Sequence, residues 1–133
     1  MKRLSQVAKG TFDVKVKAIA LDGPEDNALF GRFSLEKHLQ GDLAATGRGQ
    51  MLTAGTEIET SAAYVAIERV EGALHGRRGS FALQHRGTMT AAHQELEISV
   101  VPDSGTGELL GIAGTFKVII DGGQHFYEFE YDL

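Results

Sequence analysis

The chain has 133 residues, 42% of them hydrophobic and 23% charged, with a formal net charge of −5 and no cysteine. At this length one domain with one core is expected. The acidic balance argues against general binding to a nucleic-acid backbone, and the absent thiols exclude disulfides, thiolate metal sites and cysteine nucleophiles.

The first ten residues, MKRLSQVAKG, carry Lys2 and Arg3 without an apolar run after them, so they do not read as a signal peptide. No stretch approaches the ~18 apolar residues of a membrane-spanning helix. The expectation is a cytoplasmic protein with no membrane partner. Residues 1–8 are expected to be a flexible N-terminus ahead of a single domain at 9–133.

From there the chain shows the strand period, apolar residues at every second position. In TFDVKVKA, Phe12, Val14, Val16 and Ala18 oppose Thr11, Asp13, Lys15 and Lys17. GPEDNALFG (23–31) reads as a polar loop. RFSLEKHLQ sets Phe33, Leu35 and Leu39 against Arg32, Ser34, Glu36 and His38, with Lys37 on the apolar face. A segment at 43–52 follows, and then AAYVAIERV, apolar on both faces at mid-strand. Tyr64, Ala66, Glu68 and Val70 share one side, while Val65, Ile67 and Arg69 share the other. A strand with no polar face is usually covered twice, here by the interior and by a second subunit or neighbouring segment. Either Glu68 or Arg69 is drawn inside. FALQHRGTM puts His85 in register with Phe81 and Leu83. ELEISVV, TFKVIID and HFYEFEYDL complete the pattern. About eight strands result, enough to close a small barrel. In the last of them the tyrosines are expected inside and Glu128, Glu130 and Asp132 outside, because unpaired buried carboxylates are costly.

Seventeen glycines punctuate these segments. GALHGRRGSF (72–81) and GELLGIAGTF (107–116) share the form G-x-L-x-G-x-x-G-[Ser/Thr]-Phe, the mark of a repeated tight corner feeding a strand. GTGELLG could hold one helical turn. It lacks the glycine spacing of a dinucleotide loop, and GRRG lacks the helices that a nucleic-acid clamp of that form requires. Asp103 and Ser104, after Pro102, suggest a side-chain-to-backbone turn.

The segment SGTGELLGIAG (104–114) resembles the Gly-Thr-Gly-x-[Phe/Leu]-x-Gly-x-x-Gly stretch of allene oxide cyclases and dirigent proteins. More closely, YVAIERVEGALHGRRGSFALQHRGTM (64–89), VVPDSGTGELLGIAG (100–114) and HFYEFEY (125–131) together resemble a bacterial domain-of-unknown-function family. Its members have similar length and an allene oxide cyclase-like barrel. The resemblance runs from about Gly10 onward and implies an all-β fold, a closed antiparallel barrel of eight strands. It implies no settled activity. The acid that the cyclases carry on an early strand has no counterpart in KGTFDVKVKAI, and a fold alone does not carry chemistry.

Three polar residues on inward faces, Glu68, His85 and Tyr127, are the candidate catalytic set. A carboxylate beside an imidazole fixes its tautomer, and a phenol can donate to a carbonyl or epoxide oxygen. Tyr64, Lys37, Phe81, Phe116, Phe129 and Tyr131 are the candidate ligand-binding residues. The plainer alternatives are a core histidine bonded to a backbone carbonyl and a Lys37 snorkelling out at a strand end. His38, His75, His93 and His125 show no spacing that implies a metal, and neither metal nor cofactor is expected. His75, Arg77 and Arg78 fall at a barrel rim, as solvated turn residues or as a grip on an anionic head group. Three functions stay open. They are a barrel binding a small apolar ligand, a cofactor-independent isomerase or cyclase using the same cluster, and a filled barrel acting through its oligomer surface. A homo-oligomer, most simply a dimer, follows from the two-sided strand at 62–70.

Overall fold

The computed structural model describes residues 5–21 and 29–133. Eight strands close into one barrel in chain order: β1 (Ser5–Ile19), β2 (Phe30–Gly41), β3 (Leu43–Gly55), β4 (Ala62–Leu74), β5 (Arg77–Met89), β6 (Gln94–Val100), β7 (Ala113–Asp121) and β8 (Gln124–Asp132). Every neighbouring pair is antiparallel, and β1 closes the cylinder against β8. No described helix is long and apolar enough to cross a membrane. The expected loop at 23–31 lies outside the described residues apart from its end, where Phe30 and Gly31 already belong to β2.

The N-terminal expectation needs correction. Strand β1 begins at Ser5, within the segment expected to be flexible through residue 8. Ser5 pairs with Asp132 and Ala8 with Phe129, and Ala8 is fully buried. The reason is closure: β8 would otherwise present a bare edge, and residues 5–8 supply its partner.

The alternation read from the sequence becomes inside and outside. Phe12, Leu39, Val70, Phe81, Leu83, Ile98, Phe116 and Phe129 belong to one buried cluster, and Leu35 is buried as well. Tyr127 and Tyr131 point inward, and Glu130 is exposed. The two glycine corners are not equivalent. The first is a hairpin turn with His75 and Gly76 both at positive φ, as a type I′ turn demands. The second carries a short 3-10 turn, Gly107–Leu109, before β7. The corners meet, since the Ser80 amide donates to Thr106 Oγ1 (3.1 Å) and Thr106 N donates to the Ser80 carbonyl (2.8 Å). Ser104 Oγ donates to the Val101 carbonyl (2.7 Å), and Asp103 sits at positive φ, which makes the expected turn.

These contacts plug one end of the cylinder. Leu109 and Ile112 drop from the 101–112 connection into the cluster that holds Leu43, Leu74 and Tyr131. At the other end the described residues supply no such plug. Inward-facing Val16, Met89, Leu96 and Ile120 are 51%, 40%, 49% and 66% exposed, and Val14, Phe33, Met51, Tyr64 and Val118 are half-buried behind them. The wall is weakest there too, because β6 and β7 pair only at Ser99 and Thr115. A cleft of about 350 Å³ lies along that seam, lined in part by Leu96, Ile98, Phe116 and Val118.

A buried ion cluster below an apolar mouth

Strand registers bring the polar inward residues together. Lys37 on β2 lies opposite Gly47 on β3, Gly49 opposite Glu68 on β4, and Ala66 opposite His85 on β5. The missing side chains of the β3 glycines leave room for charged ones. Glu68 Oε1 accepts from Lys37 Nζ and from His85 Nε2, each at 2.7 Å. All three residues are buried, Glu68 to 1% exposure. A carboxylate only accepts, so the proton in this contact sits on His85 Nε2, which leaves Nδ1 as the ring's other hydrogen-bonding atom. The Tyr64 hydroxyl faces that nitrogen at 3.4 Å, on the mouth side of the cluster. Its ring lies where a side chain on residue 87 would stand. A Cβ on Gly87 would come within 2.4 Å of the Tyr64 ring, so this glycine is required for the approach.

The Lys37 ammonium is held over two rings, 5.0 Å from the centre of Phe12 and 5.8 Å from Phe116. Such contacts contribute favourably when desolvated. Burial alone would raise the Glu68 carboxyl, but the His85 hydrogen bond and the Lys37 charge outweigh it and hold the group below the ordinary carboxylate range. Burial, and then the charge of Glu68, push the Tyr64 phenol above its ordinary value, so it is a neutral hydroxyl at pH 7. Glu68 Oε2 is buried without a hydrogen-bond partner among the described residues.

A family model described as "Protein of unknown function (DUF3224)" matches residues 8–131. The chain belongs to the DUF3224 family. A crystal structure of a DUF3224 protein of unknown function from Shewanella oneidensis MR-1 is similar over 96% of each chain, with 45% identity and a TM-score of 0.90. No curated protein matches.

In this DUF3224 barrel the candidate residues separate into two groups. Glu68, His85, Lys37 and Tyr64 come together. Lys37 neither snorkels nor marks a bulge, since its ammonium turns inward to Glu68. Tyr127 does not join them. Its hydroxyl accepts from the Leu43 amide (2.9 Å) and faces the carbonyls of Gln40 (2.8 Å) and Leu43 (3.1 Å), bracing the β2–β3 corner. Parity placed Tyr127 on the right face. Register decided its height and side: it lies on β8 opposite Gly10, with Phe116 stacked on it at 5.3 Å. Phe116 is shared, touching both Tyr127 and the Lys37 ammonium.

Phe81, Phe129 and Tyr131 stack in the closed half, with Phe81 5.5 Å and Tyr131 5.3 Å from Phe129. There they pack the core. His75 Nδ1 bonds the Tyr131 hydroxyl, which also meets Gln6 Oε1 at 3.2 Å, so the rim histidine is tied to the plugged end. Sequence reasoning missed Phe12 as a wall of the ion cluster, and Val14, Phe33 and Met51 as lining of the mouth. Inward parity marked Phe12, Val14 and Phe33, but parity does not say which end of the barrel is open.

Proposed function

We propose that this barrel binds a small, mainly apolar ligand through its open end, with Tyr64 and His85 holding the ligand's polar group. The observation that supports this reading is the mouth itself. Inward-facing apolar side chains stand in solvent above a buried, hydrogen-bonded charge cluster, where a filled barrel would have packed them. The distant likeness to allene oxide cyclases and dirigent proteins belongs here as a likeness of barrel architecture. We propose a cytoplasmic, bacterial setting on the same footing.

Titration with N-phenyl-1-naphthylamine, alongside native mass spectrometry of the purified protein, tests the reading. A saturable fluorescence rise that Met89→Glu abolishes, without loss of the folded far-UV signal, is expected. A flat titration together with an unliganded mass would overturn it. The same cluster suits proton transfer, with Glu68 supporting His85 as base and Tyr64 as donor. A ligand recovered unchanged marks a carrier, and one recovered isomerised marks an enzyme.

A separate observation favours self-association. On the outer face of β3–β5, Leu52, Val65 and Ile67 are half-exposed in a concavity of about 720 Å³, with Arg86 and Glu97 beside them. A patch carrying apolar residues and both charge signs can pair with its own copy across a two-fold axis. Light scattering should give a dimer mass that Ile67→Glu reduces to a monomer's; a wild-type monomer at high concentration rejects this surface.

A further inference from the structure

Resting on that reading, we infer that the polar group of the ligand is an uncharged hydrogen-bond donor, the hydroxyl of an apolar alcohol or phenol. At the bottom of the mouth stand Tyr64 and His85, with Glu68 and Lys37 buried beneath them and walled by the uncharged rings of Phe12 and Phe116. Their charges decide what can join them. Both donors of the cluster converge on one oxygen, Glu68 Oε1. Among the described residues Oε2 is left buried and without a partner, an acceptor with no donor. The ring's other nitrogen, His85 Nδ1, meets the Tyr64 hydroxyl at 3.4 Å, the long limit of a hydrogen bond.

A carboxylate is a poor match. The Lys37 charge is already compensated by Glu68 at 2.7 Å, so an anion at this depth would be desolvated beside a second carboxylate with no uncompensated cation opposite it. An ammonium is a poor match for the converse reason, because it would add positive charge next to Lys37. A hydroxyl adds no charge, gives its proton to an acceptor of the cluster and takes the Tyr64 proton in return. That exchange completes the hydrogen bonding the folded chain leaves open.

The test compares three ligands of one chain length, decan-1-ol, its methyl ether and decanoate, as displacers of N-phenyl-1-naphthylamine at pH 8. The alcohol is expected to displace the probe at about ten-fold lower concentration than either of the others, the worth of one hydrogen bond to a charged acceptor. The ether is the sharper control, since it is more apolar than the alcohol but cannot donate. An ether that equals or beats the alcohol overturns the inference, as does a preference for decanoate. If none of the three displaces the probe and none stabilises the protein to heat, the ligand-binding reading itself falls. Glu68→Gln supplies the second arm. With Lys37 no longer compensated, the preference should move toward decanoate by about ten-fold, the size of one exchanged ionic hydrogen bond. An unchanged ranking in folded Glu68→Gln counts against the inference. If that variant does not fold, the wild-type ranking decides alone.

Discussion

The two ends of this cylinder use the same residue types for opposite purposes. At the plugged end Tyr127 and Tyr131 give their hydroxyls to backbone and neighbours at corners, and Leu109 and Ile112 seal what the strands leave open. At the mouth, Tyr64 sits over a histidine that faces a buried carboxylate, and among the described residues the apolar side chains around it stay half-buried or exposed. The difference teaches that a polar residue on an inward face is structural when backbone or neighbouring side chains use up its hydrogen bonding, as they do for Tyr127 and Tyr131. It becomes a candidate for function when its partners leave capacity over.

The contrast can be broken first at the plugged end. Phe129→Ala removes a fully buried ring that stacks on Phe81 and Tyr131, and should cost about 3–5 kcal/mol in urea unfolding. A cost near zero would mean the closed half is loosely packed.

The ion cluster comes next. Glu68→Gln leaves Lys37 buried without its counter-charge and should cost about 3 kcal/mol at pH 7. The acid dependence follows from the direction of the shift. The Glu68 carboxyl titrates lower in the folded chain than its ordinary value of 4.5, so its ionised form stabilises the fold. That contribution is whole above the unfolded value and is lost as pH falls through the folded one. Wild type and Glu68→Gln should therefore converge in stability as pH drops below about 4. A gap that is constant from pH 7 to pH 3 would show that Glu68 does not titrate as the geometry requires.

The smallest effect sharpens the comparison most. Tyr127→Phe strands the Leu43 amide and should cost about 1–3 kcal/mol while leaving probe binding alone. Tyr64→Phe, at the half-exposed mouth, should cost under about 0.5 kcal/mol yet weaken the alcohol's binding several-fold. Thermal melts and probe titrations of the pair check both halves. Reversed behaviour would exchange the roles assigned to the two tyrosines.

How much of this was legible beforehand differs between fold and site. Alternation in β1, β2, β5 and β8 identified the inward sets, with His85 and Lys37 on apolar faces, because side chains on a strand have a period of two and the core accepts only one set; in β4, apolar on both faces, it left Glu68 and Arg69 as alternatives. Pairing Tyr127 with Glu68 and His85 failed because parity carries no height. Only the registers, Gly10 with Tyr127 and Ala66 with His85, set those rings apart. The pairing of residues 5–8 with β8 was not legible either, since no local pattern in SQVA announces that β8 needs a partner.

By itself, then, the sequence determined the strand period, the count of about eight strands and the facing of many core residues, because these depend on local alternation and glycine-rich corners, while the closed barrel was implied by the family resemblance. Tertiary structure alone decided which end is plugged, that Lys37 shares the carboxylate with His85, and that Tyr64 stands where Tyr127 was expected. Those features depend on strand stagger around a closed sheet, a property of all eight registers together and of no single segment.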